Sequence, residues 1–422
     1  MSSRSIFSLL ALSAAATALL GCSGGSSDGA TGPTVLGSHL YTQTNAAKNE
    51  IIHYARKADG TLIEIERVAS GGKGTNGSKP LTGEESAPDS LTSAGAVAMT
   101  PEHDMLFSVN AGDSSVSSFK VGADGRLTLV DRQPTGETAA PSSLTYNGKT
   151  HTLYVLHTFG PNHIRSFKVI GGKLVPTGQA YTANTPEFNN RIPTQIISSP
   201  DGRFVLVDVL FNAPPRVVDG SPVLTPSNAA TKDGLMVYPV KDDGSLGPVV
   251  VNDAGGPTPF SLAFLNGSTN TFVNTLAAAS GAVLSTLDAD GKVSSTPLAS
   301  VDLSPAPNGP AETCWVSLSP DNHYAYATNF GLGNLTSFSI DSGQIRTVGN
   351  NLGHVPGDGK YKALAGISTS GPVDSWASRD GYLYQIYPNA QQLVAYRMNG
   401  EQLDQVGSYP VPYNSTMGLT GF

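Results

Sequence analysis

Short runs of alternating apolar and polar residues fill the chain from about His39 onward. Leu40-Tyr-Thr-Gln43, Ile51-Ile-His-Tyr54 and Leu62-Ile-Glu-Ile-Glu66 follow a period of two and predict β-strands. Asp59-Gly60, between the last two runs, is a hairpin turn signal. It returns before Arg126-Leu127 and at Gly171-Gly172, Asp243-Gly244, Asp290-Gly291, Ser342-Gly343 and Asn399-Gly400, so one hairpin is written seven times. No long stripe of period 3.6 with caps predicts a helix.

A second element recurs with it, an apolar strand behind a Pro-rich loop. It is found at residues 95–99, 142–146, 194–198, 260–265, 314–318, 373–377 and 417–421. A turn phrase follows several copies, as in Ser199-Pro-Asp-Gly-Arg-Phe204 and Ser319-Pro-Asp-Asn-His323. The spacing of roughly 44 to 66 residues is that of propeller repeats. Each repeat then holds four antiparallel strands. The last repeat keeps only its first strand, 417–421, and the first repeat lacks one. Joining them predicts an all-β, seven-bladed propeller over residues 38–422 with its ring closed.

The same reading orients the molecule. The Pro-Asp-Gly and Asp-Gly-x-Leu turns share one face. The second-to-third strand loops and the blade-to-blade loops share the other, and they are longer and more varied. Binding groups concentrate on such loops, so the site is expected there. Residues 211–232 form the largest insertion, and 71–92 and 349–372 are long loops on the same face.

Composition agrees with many strands and turns: 47 Gly, 29 Pro and 14% charged residues in 422. A formal charge of −8 with no Lys/Arg cluster argues against a nucleic-acid partner. Arg4 and the apolar run 6–20 read as a targeting leader, too short for a membrane span. Leu19-Leu20-Gly21-Cys22 resembles the bacterial lipobox, which implies a signal peptide over 1–21 and lipid on Cys22. Residues 22–37 would be a Ser/Gly-rich tether. An ordinary secretory signal is the alternative. The expected address is the cell envelope, with the membrane reached through the lipid anchor only. Cys314 remains as the second cysteine, beside Trp315 in an apolar strand, either an inert buried thiol or a nucleophile.

No sequential catalytic motif is present, and no Cys or His pair has zinc spacing; neither metal nor cofactor is expected. Aligning the repeats brings together the last residue of each second strand: Gln43, Asn110, His157, Asp208, Asn274, Asn329 and Tyr387. Such residues either cap the following turns or form a polar ring that holds a ligand. His157 is the member least explained by capping, and it can take or give a proton near neutral pH. Arg191 stands in a blade-to-blade loop, suited to a carboxylate or simply solvated. Arg165 and Arg216 are weaker candidates. Trp315 and Trp376 floor a pocket or pack in the core.

The phrase at 199–204, Gly-x-Leu after a hairpin, and 319–329 followed by Leu335-Thr-Ser-Phe-Ser-Ile340 resemble the seven-bladed lactonase-type propellers. That group includes bacterial 6-phosphogluconolactonase-like proteins and fungal 3-carboxymuconate lactonising enzymes. The resemblance runs from His39 to Phe422 and implies lactone chemistry. It departs at Thr194, Trp315 and Phe330, where relatives often carry His, Glu and Arg. His157, Glu312 and Arg191 could supply those groups from neighbouring loops.

Two functional expectations follow. One is a monomeric envelope enzyme that opens or forms a lactone of a small carboxylated ring. Its catalytic candidates are His157, Arg191 and Asp208; Asn110, Asn329, Trp315 and Arg216 would bind substrate. The other is a lipid-anchored, non-catalytic propeller that binds a glycan, a peptide or an envelope protein.

Overall fold

The computed structural model describes residues 37–422 apart from 219–220, 224–231, 304–308 and 365. The leader, Cys22 and all but the last residue of the tether lie outside the described residues.

Among the described residues, seven antiparallel sheets of four strands form the ring, the one that starts at Pro259–Phe264 carrying Ala299–Ser300 as a short extra strand. Blade 1 is built from His39–Gln43, Glu50–Arg56 and Leu62–Ala69, with Met417–Gly421 as its inner strand. In blades 2 to 7 the strands lie in chain order from the channel outward. Their inner strands are Val97–Met99, Pro141–Asn147, Ile192–Ser198, Pro259–Phe264, Thr313–Leu318 and Ser375–Ala377. The closure is hydrogen-bonded from both ends. His39 N–H donates to the Phe422 carbonyl (2.9 Å), and Phe422 N–H donates back to that of His39 (3.0 Å). The hairpin turns need left-handed backbone: Gly60 has φ +79°, and a Cβ there would stand 2.2 Å from the Tyr382 ring.

Each sheet packs both faces against its neighbours. The second strands are therefore buried along all or nearly all of their length, as Met105–Asn110 and Phe204–Phe211 show. The outer strands are mostly exposed or half-buried, as in Leu127–Pro134.

Two inner strands are shorter than the sequence predicts, in blades 2 and 7. The Asp374 carboxylate takes the N–H groups of Gly95 (3.3 Å) and Gly418 (2.9 Å). This ties the seams around blades 7, 1 and 2 with side-chain bonds in place of ladder bonds.

The channel is filled on its loop-rich face. Residues 87–95, between blades 1 and 2, run inward across it. The Trp315 indole N–H of blade 6 donates to the Ser93 carbonyl (3.0 Å), and Ala94 N–H donates to the Thr194 carbonyl of blade 4 (3.0 Å). Ser93 Oγ donates to the Ser142 carbonyl of blade 3 (2.7 Å). Contacts to three separate blades fix the segment as a plug. Leu91 and Ala94 pack in one cluster with Phe260, Trp315 and Phe330.

Candidate functional site

A pocket of about 70 Å³ opens beside the plug, on the face of the longer loops. The plug and the preceding loop give it Lys79, Asp89 and Thr92. Blade 6 gives Glu312, Cys314 and Phe330, and the loop after it gives Tyr361 and Leu364. Blades 4 and 5 complete the wall with Phe211, Phe260 and Ala277, among others.

The polar groups converge on one ion pair. Lys79 Nζ stands 3.4 Å from Asp89 Oδ2, with both side chains less than a tenth exposed. Burial acts against the lysine charge, but Asp89, Tyr361, Glu84 and Glu312 around it raise its pKa above the ordinary value. Burial likewise pushes the Asp89 carboxyl up to about 6, with Lys79 opposing. Asp89 Oδ1 and Thr92 Oγ1 are buried and without a hydrogen-bond partner. Buried polar atoms are seldom left so, and both residues line the pocket.

Glu312 is the third charged group. Its Oε1 accepts the Leu364 N–H at 2.8 Å, and burial raises its carboxyl to about 7. Its backbone is left-handed, at φ +54°. Ala140 and Thr258 share that geometry, each one residue before the inner strand of its own blade. The turn thus belongs to the repeat, and in blade 6 it presents a carboxylate to the pocket.

The residues singled out from the sequence are dispersed. His157 is fully buried; its Nδ1–H donates to the His163 carbonyl (3.1 Å), and Nε2 has no partner. Burial lowers its pKa to about 4, so it is neutral at pH 7. Arg191 is buried too. It pairs with Asp233 Oδ2 (2.5 Å) and stacks 5.2 Å from the Phe188 ring centre, fastening the loop that enters blade 4. The Asp208 carboxylate accepts from Asn274 Nδ2 across the seam between blades 4 and 5 (3.2 Å). None of these three lines the pocket.

Asn110 is satisfied on all sides. It accepts from Asn49 Nδ2 (3.0 Å) and Ser70 Oγ (2.6 Å) and donates to Ser115 and Ser117. Asn329 accepts from Thr313 Oγ1 (3.0 Å) and donates to Asn334 and Thr336 within its own blade. Both cap and lace strands. Trp315 lies one layer below the pocket, 4.5 Å from the Phe260 ring and 6.3 Å from that of Phe330. Arg216 is exposed on the inserted hairpin, next to Pro215, which does line the pocket. Cys314 lines it as a thiol that burial holds far from ionisation. Among the described residues, no three His, Cys, Asp or Glu side chains stand close enough to hold a metal ion.

Sequence reasoning missed Lys79, Asp89 and Thr92. The long loop 71–92 was the available signal, but two charges ten positions apart in a loop look like solvated residues.

Asp208 bears on stability. Burial raises its carboxyl to about 8, and Oδ2 has no partner. The folded state holds that proton well above the ordinary carboxylate range. Its contribution is present below about pH 4 and is lost as pH rises to 8. His157, with its lowered value, acts in the opposite sense and only below about 6.5. Asp208→Asn should therefore raise stability at pH 9 by about 1–3 kcal/mol, the cost of an unpaired buried group. Little should change at pH 4. Thermal melts at the two pH values check this.

Residues 36–188 match the family described as Lactonase, 7-bladed beta-propeller. Over that stretch the chain is similar to the lactonase propellers. No curated protein matches it in sequence. Among solved structures it resembles a periplasmic gluconolactonase of Pseudomonas aeruginosa at 18% identity and TM-score 0.65, covering 91% of this chain and 98% of that one. A putative 6-phosphogluconolactonase of Bacteroides uniformis gives 17% identity and 0.64, covering 91% and 99%. One of Bacteroides fragilis gives 15% and 0.63, covering 91% and 98%. At these identities the structures establish the shared fold. In this propeller, Thr194 and Trp315 both hold the plug, and Phe330 packs between Trp315 and Tyr361.

Proposed function

We propose that the pocket beside the plug hydrolyses a small lactone. One observation carries the reading: a buried Lys79–Asp89 pair, with Thr92 Oγ1 unpartnered, faces a carboxyl that burial raises to about 7. The family match supports the reaction class.

Glu312 acts as general base and takes a proton from water as the water oxygen attacks the lactone carbonyl carbon. The carbonyl π-bond opens to an oxyanion. Lys79 Nζ and the Thr92 hydroxyl stabilise it, while Asp89 keeps the ammonium in place. Collapse restores the carbonyl and breaks the ring C–O bond. The Glu312 proton passes to the departing alkoxide, and the product is the open hydroxy acid. Loss of the ring bond also separates the product's two ends, which favours release.

The reaction is placed in the cell envelope. The leader with its lipobox-like end supports that, as does the periplasmic gluconolactonase of the same fold. Lipid attachment at Cys22 belongs to the same proposal.

Base uptake in a pH-stat at pH 7.5, over a panel of five- and six-membered lactones, tests the activity. Lys79→Met should lower kcat/KM by about 100-fold or more, the typical worth of one oxyanion donor. An unaltered rate in the folded variant would remove Lys79 from the mechanism.

A further inference from the structure

We infer that this pocket takes a compact, uncharged lactone bearing a short alkyl group, in preference to a polyhydroxylated or phosphorylated one. The inference rests on the hydrolase reading and adds the substrate class.

The walls are the first ground. Leu81, Leu210, Phe211, Phe260, Phe330 and Leu364 surround the space, and the four from Leu210 to Phe330 are at most 8% exposed. They offer apolar contact and no hydrogen bonds. The volume of about 70 Å³ is roughly half that of an engineered cavity that holds benzene. It suits a few carbon atoms, with the remainder of the ligand at the mouth.

The polar inventory is the second ground. Of the side chains lining this pocket, only Asp89 and Thr92 bring buried atoms that lack a partner. A simple lactone has two acceptor oxygens and no donor, and its carbonyl needs only Lys79 and Thr92. A sugar lactone would bring several hydroxyls against phenyl and leucine walls. Asp89 Oδ1 could accept from one of them; the rest would lose their water without a replacement partner.

Charge is the third ground. Lys79 and Lys362 face Asp89 and Glu312, so the fixed charges cancel. Lys79 is already paired. A phosphate dianion, or a further carboxylate, would find no net positive charge there to offset the water it loses.

The experiment compares initial rates of wild-type protein on γ-hexalactone, glucono-δ-lactone and the phosphate ester of the latter. In parallel, thermal protection is measured with non-hydrolysable lactam analogues of the alkyl and sugar compounds. The expected result is kcat/KM at least about tenfold higher for the alkyl lactone, the worth of two buried methylenes, and protection by the alkyl lactam alone. Preference for either gluconate compound would overturn the inference and leave the hydrolase reading standing. Alkyl-lactam protection without any hydrolysis would support the ligand class while removing the hydrolase. Neither hydrolysis nor protection would overturn both.

Discussion

Glu312→Gln lowers kcat/KM for lactone hydrolysis by roughly 100- to 10,000-fold, the range of a lost general base. Glutamine keeps the shape and can still accept the Leu364 N–H through its carbonyl oxygen, so the fold is retained. It cannot take a proton from water. The pH profile separates this loss from a packing effect. The wild-type carboxyl sits near 7, raised by burial and lowered in part by Lys79. Only its ionised form is a base, so kcat/KM rises with pH, reaches half its plateau near pH 7 and falls away below. Glu312→Gln should show a low, flat profile over that range. A wild-type inflection preserved in the variant would assign the base to another group, with Asp89, raised to about 6, the nearest.

Removal of residues 417–422 abolishes cooperative folding. Met417 and Leu419 are buried at the seam, and burial of each contributes about 2 kcal/mol. The backbone bonds between His39 and Phe422 go with them, as does the bond from Thr42 Oγ1 to the Gly418 carbonyl (2.6 Å). Each is worth about 1 kcal/mol. Asp374 loses the Gly418 N–H and keeps only that of Gly95. Together these approach the 5–15 kcal/mol that holds a typical domain. The cut also bares the inner edge of blade 1 as a template for aggregation. Circular dichroism melts and size exclusion of the truncated chain are the check. A two-state melt within a few degrees of the full chain would show that the ring closes without this strand.

The two outcomes rest on information of different kinds. Ring closure was legible because strand, turn and repeat are local and periodic. Period-two alternation needs only the pleat, Asp-Gly marks the turn through left-handed glycine, and a missing inner strand at one end matches a spare one at the other. The orientation of the loop-rich face followed from the same repeat, and the pocket lies there. The chemistry was not legible in this way. Asn110 and Asn329 sit at the strand ends as expected, and their bonds are spent on lacing the strands. His157 and Arg191 looked available in a loop-rich context, yet folding buries both, with His157 Nδ1 on the His163 carbonyl and the Arg191 guanidinium on Asp233.

Local pattern alone specifies an all-β ring of seven blades, its closure by residues 417–421 and the face that carries the longer loops. Only the tertiary structure decided that residues 87–95 plug the channel and that Lys79, Asp89, Thr92 and Glu312 meet beside it. Three of those four lie in a loop without periodicity, and Glu312 comes from a blade far along the chain. Their proximity depends on how a non-repeating segment packs against blades 3, 4 and 6, and no residue-to-residue period records that. Thr194, Trp315 and Phe330 show the same division. In the sequence they stand as departures from a pattern; in the folded chain two of them hold the plug and the third lines the pocket next to it.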